Sequence, residues 1–309
     1  MNQIICLAGP TASGKTALAV RLAQALNGEV VSCDSMQVYK RMDIGTAKPT
    51  PQQMQGIPHH MIDVAEPWED YSVSRFCAAA APIVEDIAAR GKTAIIAGGT
   101  GLYMDSLIRG NDFAPFPSTG VREELERQAD RLGLPAMLER LRKIDPESAQ
   151  RVHDRKRILR ALEVYLETGQ TITAHNRRTQ LLPPRFTPLW LGLDFESREA
   201  LYSRINRRVD IMLEAGLMEE IRQLLHSGVP RRCTAMQAIG YKEFVAALDG
   251  ACTEEEAAEA VKQSSRRYAK RQLTWFRRNG AMHWLIRRDG GTEEEIFDAA
   301  RQIVGAFDN

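Results

Sequence analysis

Eight residues near the start of the chain, Gly9, Pro10, Thr11, Ala12, Ser13, Gly14, Lys15 and Thr16, have the spacing G-x-x-x-x-G-K-T. The apolar run Ile4-Ile5-Cys6-Leu7-Ala8 precedes them, and 17–23 carries the apolar spacing of a helix. Strand, glycine-rich loop and helix in that order make an anion site. Free N–H groups of the loop and helix start converge on one spot, where the helix dipole favours negative charge. Lys15 adds a full positive charge, and the Thr16 hydroxyl can reach a phosphate-bound Mg2+. Nothing in the loop demands a nucleotide, because such a nest serves any diphosphate. Two more reactive groups follow apolar runs. Asp34 comes after 30–33, and Thr100 comes after 93–97 and a Gly-Gly pair. Asp34 can act as a general base or ligate magnesium. Thr100 can touch a ligand or cap the helix after it.

These groups need elements to hold them. Strands are expected over 4–8, 30–33 and 93–97, with helices over 17–23, 72–89 and 101–109. Such alternation predicts a P-loop-type α/β fold, a parallel sheet with helices on both faces. Ligands of such sheets sit beyond the carboxyl ends of the strands, which brings the loop, Asp34 and Thr100 to one pocket. Prolines at Phe113-Ala114-Pro115-Phe116-Pro117 and at Pro183-Pro184 break the pattern. Between them only helices are expected, over 121–131, 135–143 and 158–167. The domains read as a catalytic core, 1–112 with 185–309, and a helical insertion, 113–184. The core resumes with a strand over 189–193, helices over 198–215, 218–226 and 253–278, a strand over 283–286 and a helix over 293–307.

At 309 residues and 44% hydrophobic content the chain can bury a sizeable core. Its five cysteines, Cys6, Cys33, Cys77, Cys233 and Cys252, form no C-x-x-C pair, which argues against a disulfide framework or zinc module. Of the six histidines, His59, His60, His153 and His175 lack ligand spacing. No apolar stretch approaches a membrane span, and the first residues read as a strand rather than a signal peptide. A cytosolic monomer is the expectation, since no heptad pattern is present.

The net charge of +1 hides a strong asymmetry. Nine basic residues lie within 262–288 with no Asp or Glu, interleaved with Tyr268, Trp275, Phe276 and Trp284. Arg151, Arg155, Lys156, Arg157 and Arg160 make a second cluster, and Arg204 and Arg208 share a helix face. A solvated face normally mixes signs. Basic stripes with aromatics fit a nucleic acid with exposed bases. Intramolecular phosphate binding is the competing reading of the basic residues, and pairing with nearby carboxylates that of Arg204 and Arg208.

The chain resembles the bacterial tRNA dimethylallyltransferases (tRNA isopentenyltransferases). The matching stretches are GPTASGKT from Gly9, DSMQVYK from Asp34, MDIGTAKP from Met42, HHMIDV from His59 and GGTGLY from Gly98. RILRALEV from Arg157, AIGYKE from Ala238 and YAKRQLTWF from Tyr268 continue the series in family order. The resemblance implies transfer of a dimethylallyl group from dimethylallyl diphosphate to the N(6) amine of the adenosine at tRNA position 37. Magnesium is required, and diphosphate is the leaving group. It implies that Asp34 is the general base. Lys15, Thr16 (with Mg2+), Arg208 and the loop Gly9–Thr16 would stabilise the diphosphate. Thr100 would contact the target adenosine, and Ser35, Met36 and Gln37 would lie beside it. Further tRNA contacts are implied for Arg122, Lys156, Arg157, Arg160, Gln237, Gly240, Tyr241, Lys242, Lys270, Arg271, Trp275 and Arg277. The adenosine must be flipped out to reach a buried pocket. One departure is His153-Asp154, two residues shorter than the frequent family pattern H-P-N-D.

Three rivals make different demands. A small-molecule kinase needs ATP and has no use for the acid-free stretch 262–288. A passive RNA-binding P-loop protein has no use for Asp34. A prenyltransferase of free adenine nucleotides shares the loop and Asp34 but needs no late basic segment.

Overall fold

The computed structural model describes residues 4–110 and 119–307. The expected break at 113–117 lies outside the described residues. Contacts divide the chain into two units, one of 1–108 with 186–309 and one of 109–185.

Alternating side chains on buried strands build the first unit. Its strands are β1 (Ile4–Ala8), β2 (Gly28–Ser32), β3 (His59–His60), β4 (Thr93–Gly98), β5 (Leu189–Phe195) and β6 (Met282–Arg287). They form one sheet in the order β3-β2-β4-β1-β5-β6, with every pairing parallel. The helices are α1 (Lys15–Ala25), α2 (Pro51–Met54), α3 (Val73–Ala89) and α4 (Gly101–Arg109) before the second unit. That unit holds α5 (Val121–Leu132), α6 (Leu134–Ile144), α7 (Pro146–Arg151), α8 (Arg155–Thr168) and α9 (Ile172–Leu181). The first unit resumes with α10 (Arg198–Glu214), α11 (Leu217–His226), α12 (Tyr241–Leu248), α13 (Glu254–Phe276) and α14 (Glu293–Phe307).

Along β1, Ile5 and Leu7 face a core shared with Leu18 and Leu22 of α1 and Ile296 of α14. Cys6 and Ala8 face the opposite core, with Phe76 and Val84 of α3 and Tyr241 and Phe244 of α12. Ile95 and Ile96 of β4, and Val30 and Val31 of β2, split between the same two layers. A period of two on strands buried on both faces is what places helices above and below. Because β2, β4 and β1 are neighbours, their carboxyl ends bring Asp34, Thr100 and the glycine loop together. All five cysteines are free, and Cys6 and Cys33 are buried. No helix among the described residues is long and apolar enough to cross a membrane.

At the opposite end of β2, the buried carboxylate of Glu29 takes hydrogen bonds from Arg90, Lys92 and His60. Arg90 above all holds its pKa far below the usual carboxylate range. A depressed carboxyl stabilises the fold above its unfolded pKa of about 4.3, and that stability is lost as pH falls through the folded value. Glu29→Gln at pH 7 is expected to cost about 3 kcal/mol, the low end for breaking a buried pair, because Arg90 and Lys92 stay partly wet. Denaturant unfolding of the two proteins checks this; equal midpoints would refute it.

The second unit packs Leu125, Met137, Leu141, Ile158, Leu159 and Leu162 into its own core. Buried Asp145 caps α7 by accepting from Ser148 N (3.1 Å) and accepts again from the Thr173 hydroxyl (2.7 Å). Asp154 caps α8 by accepting from Arg157 N (3.0 Å).

Candidate active site

The glycine loop is shaped by left-handed backbone at Ala12 (φ 63) and Gly14 (φ 92), which turns successive N–H groups inward. Lys15 Nζ folds back onto the carbonyls of Gly9 (3.1 Å) and Pro10 (2.7 Å). Its ammonium is held down to about 7, first by burial, then by the nearby Arg208, with Asp34 opposing. Burial likewise lowers the pKa of Arg208, whose guanidinium senses both Asp34 and Arg204. Neither arginine forms an ion pair among the described residues; Arg204 donates from Nε to Ala12 O (3.0 Å). Two cations and one carboxylate thus share a confined site beside an anion nest.

A cavity of about 450 Å³ opens from this point. Thr11, Asp34, Ser35 and Met36 line one end, together with Arg208, Tyr268 and Arg271. Ile205, Val209 and Met212 of α10 and Val261 of α13 supply an apolar wall. Gln237, Ala238, Ile239, Gly240 and Lys242 also line it, as do Gly45 and Thr46. Asp34 Oδ1 accepts from Met36 N (2.9 Å) and Gln37 N (3.4 Å), a turn that fixes the carboxylate.

Several expected contacts are placed differently. The Thr100 hydroxyl accepts from Ser35 N (3.0 Å) and reaches Ser35 Oγ (3.4 Å), and it also bonds Tyr268. It is off the cavity wall and holds two residues that are on it. The Gln37 amide is committed inward, accepting from Ser32 Oγ (2.9 Å) and donating to the carbonyls of Thr46 and Ala47 (3.3 Å each). Tyr241 is fully buried with its hydroxyl on Glu220, so its ring is not open to a polyanion. Trp275 is half-buried, its indole N–H on Asp105 (2.9 Å).

The acid-free stretch is neutralised in part from elsewhere in the chain. Lys262 pairs with Asp210 and Glu259, Arg277 with Asp194 and Arg287 with Glu293. In the helical unit, Arg122 pairs with Glu126 and Glu163, Arg155 with Glu126 and Asp130, Arg157 with Asp154 and Arg160 with Glu163. The more exposed pairs of the helical unit contribute little and can yield to a phosphate, whereas Arg287 and Asp194 are buried. Lys270 and Arg271 are exposed, and Lys156 stands exposed on α8.

Gln272 is central to the site, although its residue type gives no hint of it. Buried on α13, it accepts from Thr11 N (2.9 Å) through Oε1 and donates to Gly99 O (2.9 Å) through Nε2. A Cβ on Gly99 would lie 2.1 Å from Gln272 Nε2, and one on Gly101 would lie 2.3 Å from the Trp275 ring. Gly99 and Gly101 of GGTGLY therefore clear space for α13, while Gly98 clears the backbone of Cys33. The one signal for Gln272 in the sequence is its place within YAKRQLTWF.

The family model described as IPP transferase matches residues 37–279, most of the chain. The chain belongs to the IPP transferase family. A second model, isopentenyl transferase, matches residues 2–66. A tRNA dimethylallyltransferase of Caldanaerobacter subterraneus subsp. tengcongensis is 47% identical over 298 residues, 95% of each chain. The crystal structure of a full-length tRNA isopentenylpyrophosphate transferase from Bacillus halodurans superimposes with TM-score 0.74 at 42% identity, covering 99% of this chain and 96% of that one. A eukaryotic dimethylallyltransferase acting on tRNA matches with TM-score 0.80 at 32% identity, covering 98% and 78% respectively.

Proposed function

We propose that this IPP transferase moves the dimethylallyl group of dimethylallyl diphosphate onto the N(6) amine of the adenosine at tRNA position 37, releasing diphosphate. The observation that carries the reading is one cavity lined by Thr11 of the glycine loop, Arg208 and Asp34, with an apolar wall of Ile205, Val209, Met212 and Val261. Diphosphate, amine and prenyl chain each find a matching surface there. As the new C–N bond forms at the allylic carbon, its bond to the diphosphate oxygen breaks. The Asp34 carboxylate takes the amine proton, and Lys15 and Arg208 offset the charge growing on the leaving oxygen.

Among the described residues no three His, Cys, Asp or Glu side chains cluster as a metal cage. Mg2+ needs none, since it is commonly held by substrate phosphates, water and one or two side chains. Thr16, at the start of α1, is a suitable side-chain donor. Bound there, the ion would neutralise the diphosphate.

Labelled dimethylallyl diphosphate, incubated with tRNA or with AMP, tests the reading. Label is expected in tRNA alone; label in AMP with none in tRNA would replace it by transfer to free nucleotides.

Lys15 adds a pH test. A diphosphate favours its ammonium form, whose pKa is about 7 in the free protein. At pH 8, where the ligand is already ionised, binding should take up about 0.9 proton through Lys15. At pH 6 Lys15 should take up almost none. Calorimetry in buffers of different ionisation heat measures the uptake, and buffer-independent heats at pH 8 would sink the assignment.

For tRNA, replacing Lys270 and Arg271 with Ala should weaken binding. The slope of log affinity against log salt should flatten by about 0.7–0.9 for each phosphate left without its cation. An unchanged slope with weaker diphosphate binding would move both residues into the prenyl-donor site.

A further inference from the structure

The segment after Met42 enters the cavity through Gly45 and Thr46, and a carboxylate from another part of the chain holds it. Glu220, on the first turn of α11, accepts three consecutive backbone N–H bonds. Asp43 N (2.8 Å) and Ile44 N (2.7 Å) meet one oxygen, and Gly45 N (3.2 Å) meets the other. The Tyr241 hydroxyl donates to that second oxygen at 2.6 Å. The Tyr241 ring closes over Gly45, where an added Cβ would lie 2.5 Å from it. The held segment continues inward, since the carbonyls of Thr46 and Ala47 accept from Gln37, whose backbone N–H bonds Asp34.

We propose that Glu220 and Tyr241 are positioning residues for the transfer: a clasp that fixes the Asp43–Gly45 backbone and, through Gln37, the turn that aims Asp34. Bonds to an ionised acceptor are roughly twice as strong as neutral ones, and three N–H groups converging on one carboxylate leave the segment little freedom. The side-chain hydrogen bonds of the two residues go to 43–45 and to each other, not to the glycine loop. The clasp therefore governs the adenosine side of the cavity and not diphosphate capture. The inference rests on the transferase reading for its kinetic arm only.

Glu220→Gln puts an NH2 group where one of the acceptor oxygens was. The amides of Asp43, Ile44 and Gly45 should exchange hydrogen at least about tenfold faster, while those of the glycine loop keep their protection. Turnover should fall by about 10–100-fold, the scale of a small misplacement of reacting groups. The dissociation constant of dimethylallyl diphosphate and the KM for tRNA should stay within about twofold, a split that general loosening of the fold would not produce. Tyr241→Phe keeps the ring over Gly45 and loses one bond. It should lower turnover about three- to tenfold, and it carries the test if Glu220→Gln does not fold. Unchanged exchange at 43–45, turnover within twofold of wild type, or parallel weakening of diphosphate binding would each overturn the clasp. Failure of the wild type to label tRNA would count against the function, with the exchange measurement still deciding the clasp.

Discussion

Asp34→Asn is expected to lower turnover by about 10²–10⁴-fold, the usual cost of losing a general base, with tRNA and diphosphate affinity nearly unchanged. The geometry makes this a clean substitution. Both backbone bonds that fix the side chain fall on Oδ1, from Met36 and Gln37, and an amide oxygen can still accept them. What Asn cannot do is take the amine proton. Adenine's exocyclic nitrogen is a poor nucleophile, its lone pair shared with the ring, so proton removal coincides with bond formation. Single-turnover transfer by a variant that still binds both substrates is the measurement, and a rate within a few-fold of wild type would remove Asp34 from the role of base.

Lys15→Ala should be nearly as severe, with the loss on the other substrate. Deleting one neutral donor to a developing anion costs about 10²–10³-fold, and here a full charge goes. The side chain also ties the carbonyls of Gly9 and Pro10 together, so the loop would lose that link. Dimethylallyl diphosphate affinity should drop along with turnover, while tRNA affinity holds, because Lys270 and Lys156 are untouched. Substantial ATP hydrolysis by the wild type would contradict the loop's assignment to a prenyl diphosphate.

Much of this is readable in the chain, and the physics separates what is from what is not. The glycine loop, Asp34 and the buried strands are local signals. Apolar runs ending in a small or acidic residue specify strand, turn and site within a dozen positions. Strands β5 and β6 and the long helix α13 are legible in the same way. The two-residue β3 carries no pattern to detect. Helices α7, α9 and α12 are short, and for the first two the clue lies in the caps Asp145 and Thr171 rather than in apolar spacing. Charge is the least legible property. Counting acids within 262–288 misses Asp194, Asp210 and Glu293, which fold back from outside it to pair with Arg277, Lys262 and Arg287. The same blindness hides Gln272 and Glu220, whose partners lie 261 and 175–177 residues away.

The tether from Gln272 to Thr11 also sets a timetable for making the enzyme. Strands β1, β2 and β4 and the whole glycine loop are translated within about the first third of the chain. The loop's partner on α13 emerges only after the helical unit, strand β5 and helices α10 to α12. A nascent chain stalled before residue 272 would display a lysine-bearing anion nest with Thr11 N–H unclaimed and Gly99 uncovered. Synthesis thus reaches the glycine loop first and the residue that tethers it late, so the loop takes its final set of hydrogen bonds only near the end of translation.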